Sequence, residues 1–269
     1  MFYAWLKFTI LRYRYGQARD ESSRLFGISL YQTKHVELRP EGRRPFQAQT
    51  LFANSSIRYP HTPYLSQVPC SWGAVFFPEH WREFHAYLSL RLSDRGRALP
   101  PDIVPDIRSN KWSHSWKRYF IEMTYLRGYV MLYPNYDHFV SLSTNHLELG
   151  AHAHEIPERI LAKKKAQFQV PLMGVDPSDY GVNLLDLPQG TLPAWQDLPI
   201  VDLWGNLASL ELLKWRGAYR HEEVTDCAKL LPLGEPSTYD AAELLCFYDE
   251  DHEEEEDDEL GEEESPDLA

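Results

Sequence analysis

Leu25-Phe26-Gly27-Ile28-Ser29-Leu30-Tyr31 reads as a run of apolar and β-forming residues with no polar alternation, the pattern of a short strand covered on both faces. A strand of that kind lies inside a sheet with helices on its two sides, so its neighbours in sequence should be helical. On the upstream side, Phe2, Trp5, Leu6, Thr9, Ile10 and Tyr13 recur at helical spacing, and Gly16 stands where such a helix would stop. The expected element is a core-facing helix from Phe2 to about Tyr15.

Downstream, Trp72-Gly73-Ala74-Val75-Phe76-Phe77 predicts a second strand of the same buried type. Pro78 then suits the first position of a helix with Trp81, Phe84, His85, Leu88 and Leu92 on one face. The proline-rich stretch Leu99 to Pro105 ends that unit. Ser113 or Ser115 can cap a further helix carrying Trp116, Phe120, Met123 and Leu126, with Gly128 as its stop. Tyr129-Val130-Met131-Leu132-Tyr133 follows as a third buried strand closed by Pro134-Asn135. Strands and helices in alternation predict an α/β fold, a mixed sheet flanked by helices.

Two regions do not fit that rhythm. Pro40 to Pro69 reads as a long polar loop of functional or mobile character. Beyond Gly150 the pattern loosens into a basic stretch, Arg159 to Lys165, an irregular wrap to Pro199, the apolar cluster Ile200 to Gly205 and a helix near Leu207 to Trp215. The expected organisation is therefore a domain over 1–150, an irregular extension packed on it over 151–248, and a disordered acidic tail over 249–269.

The net charge of −13 is a property of that tail. It holds 14 of the 40 acidic residues, leaving 26 acidic against 27 basic ones elsewhere. A near-neutral body lacks the basic field of a nucleic-acid-binding domain, and the tail itself would suit a basic partner. No run is long and apolar enough for a membrane span, and the interrupted start from Met1 to Ile10 reads as an amphipathic helix. Cys70, Cys227 and Cys246 match no zinc spacing and allow at most one internal disulfide.

The order of these elements resembles the acceptor-side, carboxy-terminal portion of GT-A glycosyltransferases, eukaryotic family 2-like enzymes in particular and, more distantly, the Golgi N-acetylglucosaminyltransferase type. The residues that carry the resemblance are Phe2-Tyr3-Ala4-Trp5-Leu6-Lys7, then Leu25 to Tyr31, Trp72-Gly73, Pro78-Glu79-His80-Trp81, and Glu122 with Arg127-Gly128. It covers roughly residues 2–150.

The resemblance implies sugar transfer from a nucleotide sugar to a glycan or glycoprotein acceptor in the Golgi or secretory membrane system. It also implies a divalent cation, Mn or Mg, held by an acidic D-x-D motif in a donor-binding half. This chain departs there, because its D-x-D triplet, Asp249-Glu250-Asp251, lies in the acidic tail. The expectation is a protein inactive in transfer as it stands, or a non-catalytic interaction protein with an acidic docking tail. A fragment would leave the first helix and Leu25 to Tyr31 open to solvent. A self-sufficient protein would cover its sheet edge, with Pro171 to Pro199 as the candidate cover.

Within that reading Glu122 is the first candidate for a general base, since removing the acceptor hydroxyl proton needs a carboxylate at the reacting oxygen. Glu79 is the second, although an acid in the first turn of a helix also serves the helix dipole. Lys111, Trp112, Trp116, Lys117 and Arg127 mix indoles with cations and are the candidate acceptor- or phosphate-binding residues. His146, in Ser143 to Glu148, is the candidate metal ligand.

Overall fold

The computed structural model describes residues 1–16, 23–144, 157–174, 180–225 and 239–247. Its centre is a six-stranded mixed sheet built from β1 (Leu25–Ser29), β4 (Tyr64–Ser66), β5 (Ala74–Phe76), β6 (Val130–Tyr133), β7 (Ile200–Val201) and β8 (Leu207–Ala208), in the order β5-β1-β6-β4-β7-β8. β2 (His35–Val36) and β3 (Arg44–Pro45) form a separate antiparallel hairpin. β1 and β6 run parallel, β4 is antiparallel to β6, and β7 is parallel to β4. The expected α/β class and mixed sheet are what the chain adopts.

All five residues of β1 and all four of β6 are buried, as apolar runs without alternation require. Side chains alternate between the two faces, except that an irregularity in β1 between Leu25 and Gly27 shifts the register. Leu25, Ile28, Val130, Leu132 and Leu65 join one core cluster with Trp5, Tyr13, Val182, Trp195 and Leu198. Phe26, Met131, Tyr133, Tyr64 and Val201 join the other, with Phe84, Tyr87, Phe120 and Met123. The first face is covered by α1 (Phe2–Thr9), its π-helical continuation Ile10–Arg14, and residues of the 180–198 segment. That segment therefore covers a face of the sheet, and the sheet edges are β5 and β8.

The second face is covered by α2 (Ala48–Asn54), α3 (Pro78–Leu92) and α5 (Trp116–Arg127). Short α4 (Asp94–Ala98), the basic α6 (Glu158–Phe168), α7 (Leu210–Val224) and α8 (Ala241–Leu245) complete the helices. Gly128 ends α5 in the left-handed region at φ +64°, a conformation glycine adopts without the Cβ penalty. Cys246, which follows α8, is disulfide-bonded, whereas Cys70 is free and buried.

Five sequence expectations require correction. Residues 40–69 are not a long loop: they carry β3, α2 and β4, and β4 sits inside the sheet between β6 and β7. β5 is a three-residue, half-buried edge strand and not a second central one.

α3 buries His80, Glu83, Phe84, Tyr87 and Arg91, while Trp81 and Leu92 from the expected face are exposed. The helix is turned toward charged residues that meet opposite charges on α5, as described below. Finally, the Ser115 N-cap makes no side-chain capping bond.

α1 buries Trp5, Thr9 and Tyr13 and leaves Phe2, Tyr3, Phe8, Leu11 and Tyr15 exposed, so Phe2 is not a core residue as its spacing predicted. No described helix is long and apolar enough to cross a membrane.

Candidate functional site

The two catalytic candidates are held in ion pairs. Glu122 is buried on α5, where its Oε2 accepts from Arg91 Nε at 3.0 Å and from the Tyr87 hydroxyl at 3.3 Å. Its Oε1 accepts from Arg118 Nε at 3.2 Å. Arg91 in turn donates to the carbonyls of Gly96 and Pro100, which ties α3 to the chain that follows it. Glu79 pairs with Arg14 of the first helical segment.

Arg127 is likewise structural in its contacts. Its Nε lies 2.7 Å from Glu83 Oε1, Tyr129 donates to Glu83 Oε2 at 2.7 Å, and Arg127 Nη2 donates to the Asp240 carbonyl. These two buried networks explain the face that α3 presents: a buried carboxylate is tolerated where cations and hydroxyls surround it. Neither Glu122, Glu79 nor Arg127 lines the cleft described next.

That cleft lies over the second face of the sheet, open to solvent on one side, and has a cavity volume of about 50 Å³. Alternation places Tyr64 and Ser66 of β4, Tyr133 of β6 and Val201 of β7 on its floor. The β2–β3 hairpin contributes His35, Val36 and the adjoining Glu37 and Phe46, and the loop before β5 contributes Cys70, Ser71 and Trp72. Lys117, in the first turn of α5, closes the wall.

Its aromatic walls are set by one another. Tyr64 and Tyr133 stack at 5.4 Å with rings 19° apart, and Trp72 meets Tyr31 edge to face at 5.1 Å. The Tyr133 hydroxyl donates to the Val68 carbonyl at 2.8 Å and so fixes the loop that carries Cys70.

The hairpin is fastened to the β7–β8 turn by Arg39, which donates to the Trp204 carbonyl at 2.8 Å and to Asn206 Oδ1 at 3.0 Å. Asp202 builds that turn: its Oδ1 accepts from the backbone N–H groups of Trp204 and Asn206, and its Oδ2 accepts from Arg216 at 3.1 Å.

Burial sets the protonation of the lining groups. It pushes the phenols of Tyr31, Tyr64 and Tyr133 and the thiol of Cys70 above their ordinary values, so all four are neutral at pH 7. Burial, with Arg43 beside it, lowers His35, which is therefore a neutral imidazole. What remains is an apolar, ring-lined cleft with hydroxyls and a few charges at its rim, the usual make-up of a ligand pocket.

Of the binding residues expected from sequence, Lys117 lines this cleft. Lys111 is exposed in the 3-10 turn Arg108–Lys111, and Trp112 is half-buried against the core. Trp116 is half-exposed in an aromatic cluster with Trp81, Phe84 and Phe120. His146 lies outside the described residues. Among the described residues, no three His, Cys, Asp or Glu side chains come together in a way that could hold a metal ion.

Sequence reasoning missed Tyr31, Tyr64, Tyr133 and the hairpin as site residues. The legible signal was the pair of tyrosines ending the two buried strand runs, Tyr31 and Tyr133.

A family model described as the SPBC1E8.03c C-terminal domain matches residues 43–96. That stretch runs from the edge of β3 into α4 and carries Phe46, Tyr64, Ser66 and Val68 to Trp72 of the cleft. No curated protein and no solved structure matches the chain.

Proposed function

We propose that this chain is a carbohydrate-binding module of glycosyltransferase-like descent, which holds a single sugar ring at the open mouth of the cleft beneath the β2–β3 hairpin and does not itself transfer it. The observation that supports the reading most directly is the cleft lining, where Trp72, Tyr31 and Tyr64 offer ring faces and edges beside the hydroxyls of Thr33, Ser66 and Ser71. A pyranose has the matching character, with C–H faces that pack on aromatic rings and hydroxyls that hydrogen-bond at its edges.

Binding is favoured over turnover by the state of the carboxylates. A general base must reach the proton it removes. Glu122 is instead shared between two guanidinium groups and a phenol, and Glu79 is paired with Arg14. Glu37 and Asp202, which do line the cleft, are engaged by Arg43 and Arg216.

The reading is tested by saturation-transfer NMR and tryptophan fluorescence titration of the full chain with a panel of neutral and acidic monosaccharides. The expected result is saturable binding that Trp72→Ala abolishes while the far-ultraviolet circular dichroism is unchanged. Absence of binding by every sugar overturns the reading. Release of nucleoside diphosphate from a nucleotide sugar with Mn, dependent on Glu122, would overturn it in favour of transfer by this chain alone.

A further inference from the structure

We infer that the ligand of this cleft is an acidic sugar, a pyranose bearing a carboxylate or a phosphate monoester, read by Lys117 and the Tyr64 hydroxyl. The inference rests on the sugar-binding reading and adds the charge of the ligand to it.

The argument begins with the charges on the wall. Glu37 is matched by Arg43 at 2.9 Å, and Asp202 by Arg216 at 3.1 Å. The tyrosines, Cys70 and His35 are neutral for the reasons given above. Lys117 alone among the described lining residues carries a charge that no ion pair or hydrogen bond within the described chain offsets. An empty cleft thus presents one positive charge, and a ligand that leaves Lys117 unpaired would desolvate it without return.

The position of Lys117 sharpens the point. It stands in the first turn of α5, where the helix dipole disfavours a cation by a few tenths of a kcal/mol. A half-buried lysine in that place, without an internal partner, conflicts with local stability. Conflicts of this kind concentrate where a ligand supplies the missing interaction. The first-turn backbone and the ammonium together favour an anion at the same end of the cleft.

A second polar group points the same way. The Tyr64 side chain is buried, lines the cleft, and its hydroxyl has no hydrogen-bond partner among the described residues. A hydroxyl that bonds nothing in the described chain and faces the cleft is available to a ligand oxygen. Because its phenol stays protonated, it can donate to an anionic or a neutral oxygen alike. The ring faces take the pyranose, Tyr64 takes a ring substituent, and Lys117 takes the acidic group.

The test titrates the full chain at pH 7 with glucose, glucuronate and glucose 1-phosphate, in wild type and in Lys117→Met. The acidic sugars should bind roughly tenfold or more tightly than glucose, as a charge-assisted contact provides. Lys117→Met should remove that preference, bringing the acidic sugars to the affinity that the same variant shows for glucose. A preference for glucuronate alone assigns a carboxylate, for glucose 1-phosphate alone a phosphate, and either supports the inference. Equal affinity for all three sugars in wild type overturns it while sugar binding stands. Failure of every sugar to bind overturns both.

Discussion

Arg91 Nε and Glu122 Oε2 meet at 3.0 Å with both side chains withdrawn from solvent, so α3 and α5 are locked by a charge pair where the sequence pattern expects apolar contact. Arg118 takes the other carboxylate oxygen at 3.2 Å. Removing the shared carboxylate would strand the Arg91 guanidinium in the core. Glu122→Ala should therefore lower the unfolding free energy by about 3–5 kcal/mol, the range for breaking a buried pair. Urea unfolding followed by tryptophan fluorescence measures it. A loss under about 1 kcal/mol would show that the pair is not structural and would return Glu122 to the pool of site candidates.

Gly217 of α7 sits against α5 so closely that a Cβ there would lie 2.4 Å from the Leu126 carbonyl oxygen and 2.5 Å from that of Tyr125. Two effects oppose one another at this position. Helix propensity favours alanine by about 1 kcal/mol, whereas forcing a methyl into backbone carbonyls costs about 1–3 kcal/mol. The opposing atoms are backbone and cannot swing away, so the clash wins. Gly217→Ala should lower the melting temperature, and an unchanged or raised value would mean that α5 and α7 sit farther apart.

How much of this was readable beforehand follows from what each element buries. β1 and β6 are legible because both faces are covered, so their runs lack polar alternation, and β6 is in addition bracketed by Gly128 and Pro134. β4 was not, since three residues, Tyr64-Leu65-Ser66, two of them carrying hydroxyls, are too short for any periodicity to register. The buried face of α3 was misread for a related reason: hydrophobic spacing cannot see Glu83 and Arg91, which become core residues only once Arg127 and Glu122 arrive from α5.

The cleft suffered most, because its walls come from segments far apart in sequence. Lys117 was visible as a cation near tryptophans. That it shares a cleft with Tyr64 depends on β4 and the start of α5 being brought together by the fold.

His80 supplies a pH prediction. Its ring is fully buried, Nε2 donates to the Ser23 carbonyl at 2.8 Å, and Tyr129 and Tyr239 close over it at 4.8 Å each. Burial lowers its pKa from 6.5 to about 3, with Arg14 and Arg127 adding to the effect and the Ser23 bond opposing it; Glu79 lies 3.7 Å from Nδ1. As pH falls below 6.5 the unfolded chain takes up the proton first, so the stability held above pH 6.5 is lost progressively toward pH 3.

Burial shifts His221 in the same direction. Between pH 7 and 5 the His80 contribution should fall by about 2 kcal/mol. The read-out is the difference in that pH dependence between wild type and His80→Gln. Equal slopes would mean that His80 is protonated in the folded protein.

Tyr64 separates ligand recognition from stability in one substitution. Its ring stacks on Tyr133 and meets Phe52 edge to face at 5.6 Å, while its hydroxyl has no partner among the described residues. Tyr64→Phe keeps both ring contacts and removes only the hydroxyl. Since the hydroxyl bonds nothing in the described chain, the phenylalanine variant should match wild type in stability to within about 1 kcal/mol.

If the hydroxyl serves a ligand, the same variant should bind its sugar severalfold more weakly. A thermal melt and a sugar titration on the one protein decide the matter. A variant that loses stability must have lost a hydrogen bond that the free protein makes, and a variant that binds normally shows that the ligand does not reach β4. Only retained stability with weakened binding shows that the ligand reaches the floor of the cleft, against the strand where the sheet meets the hairpin.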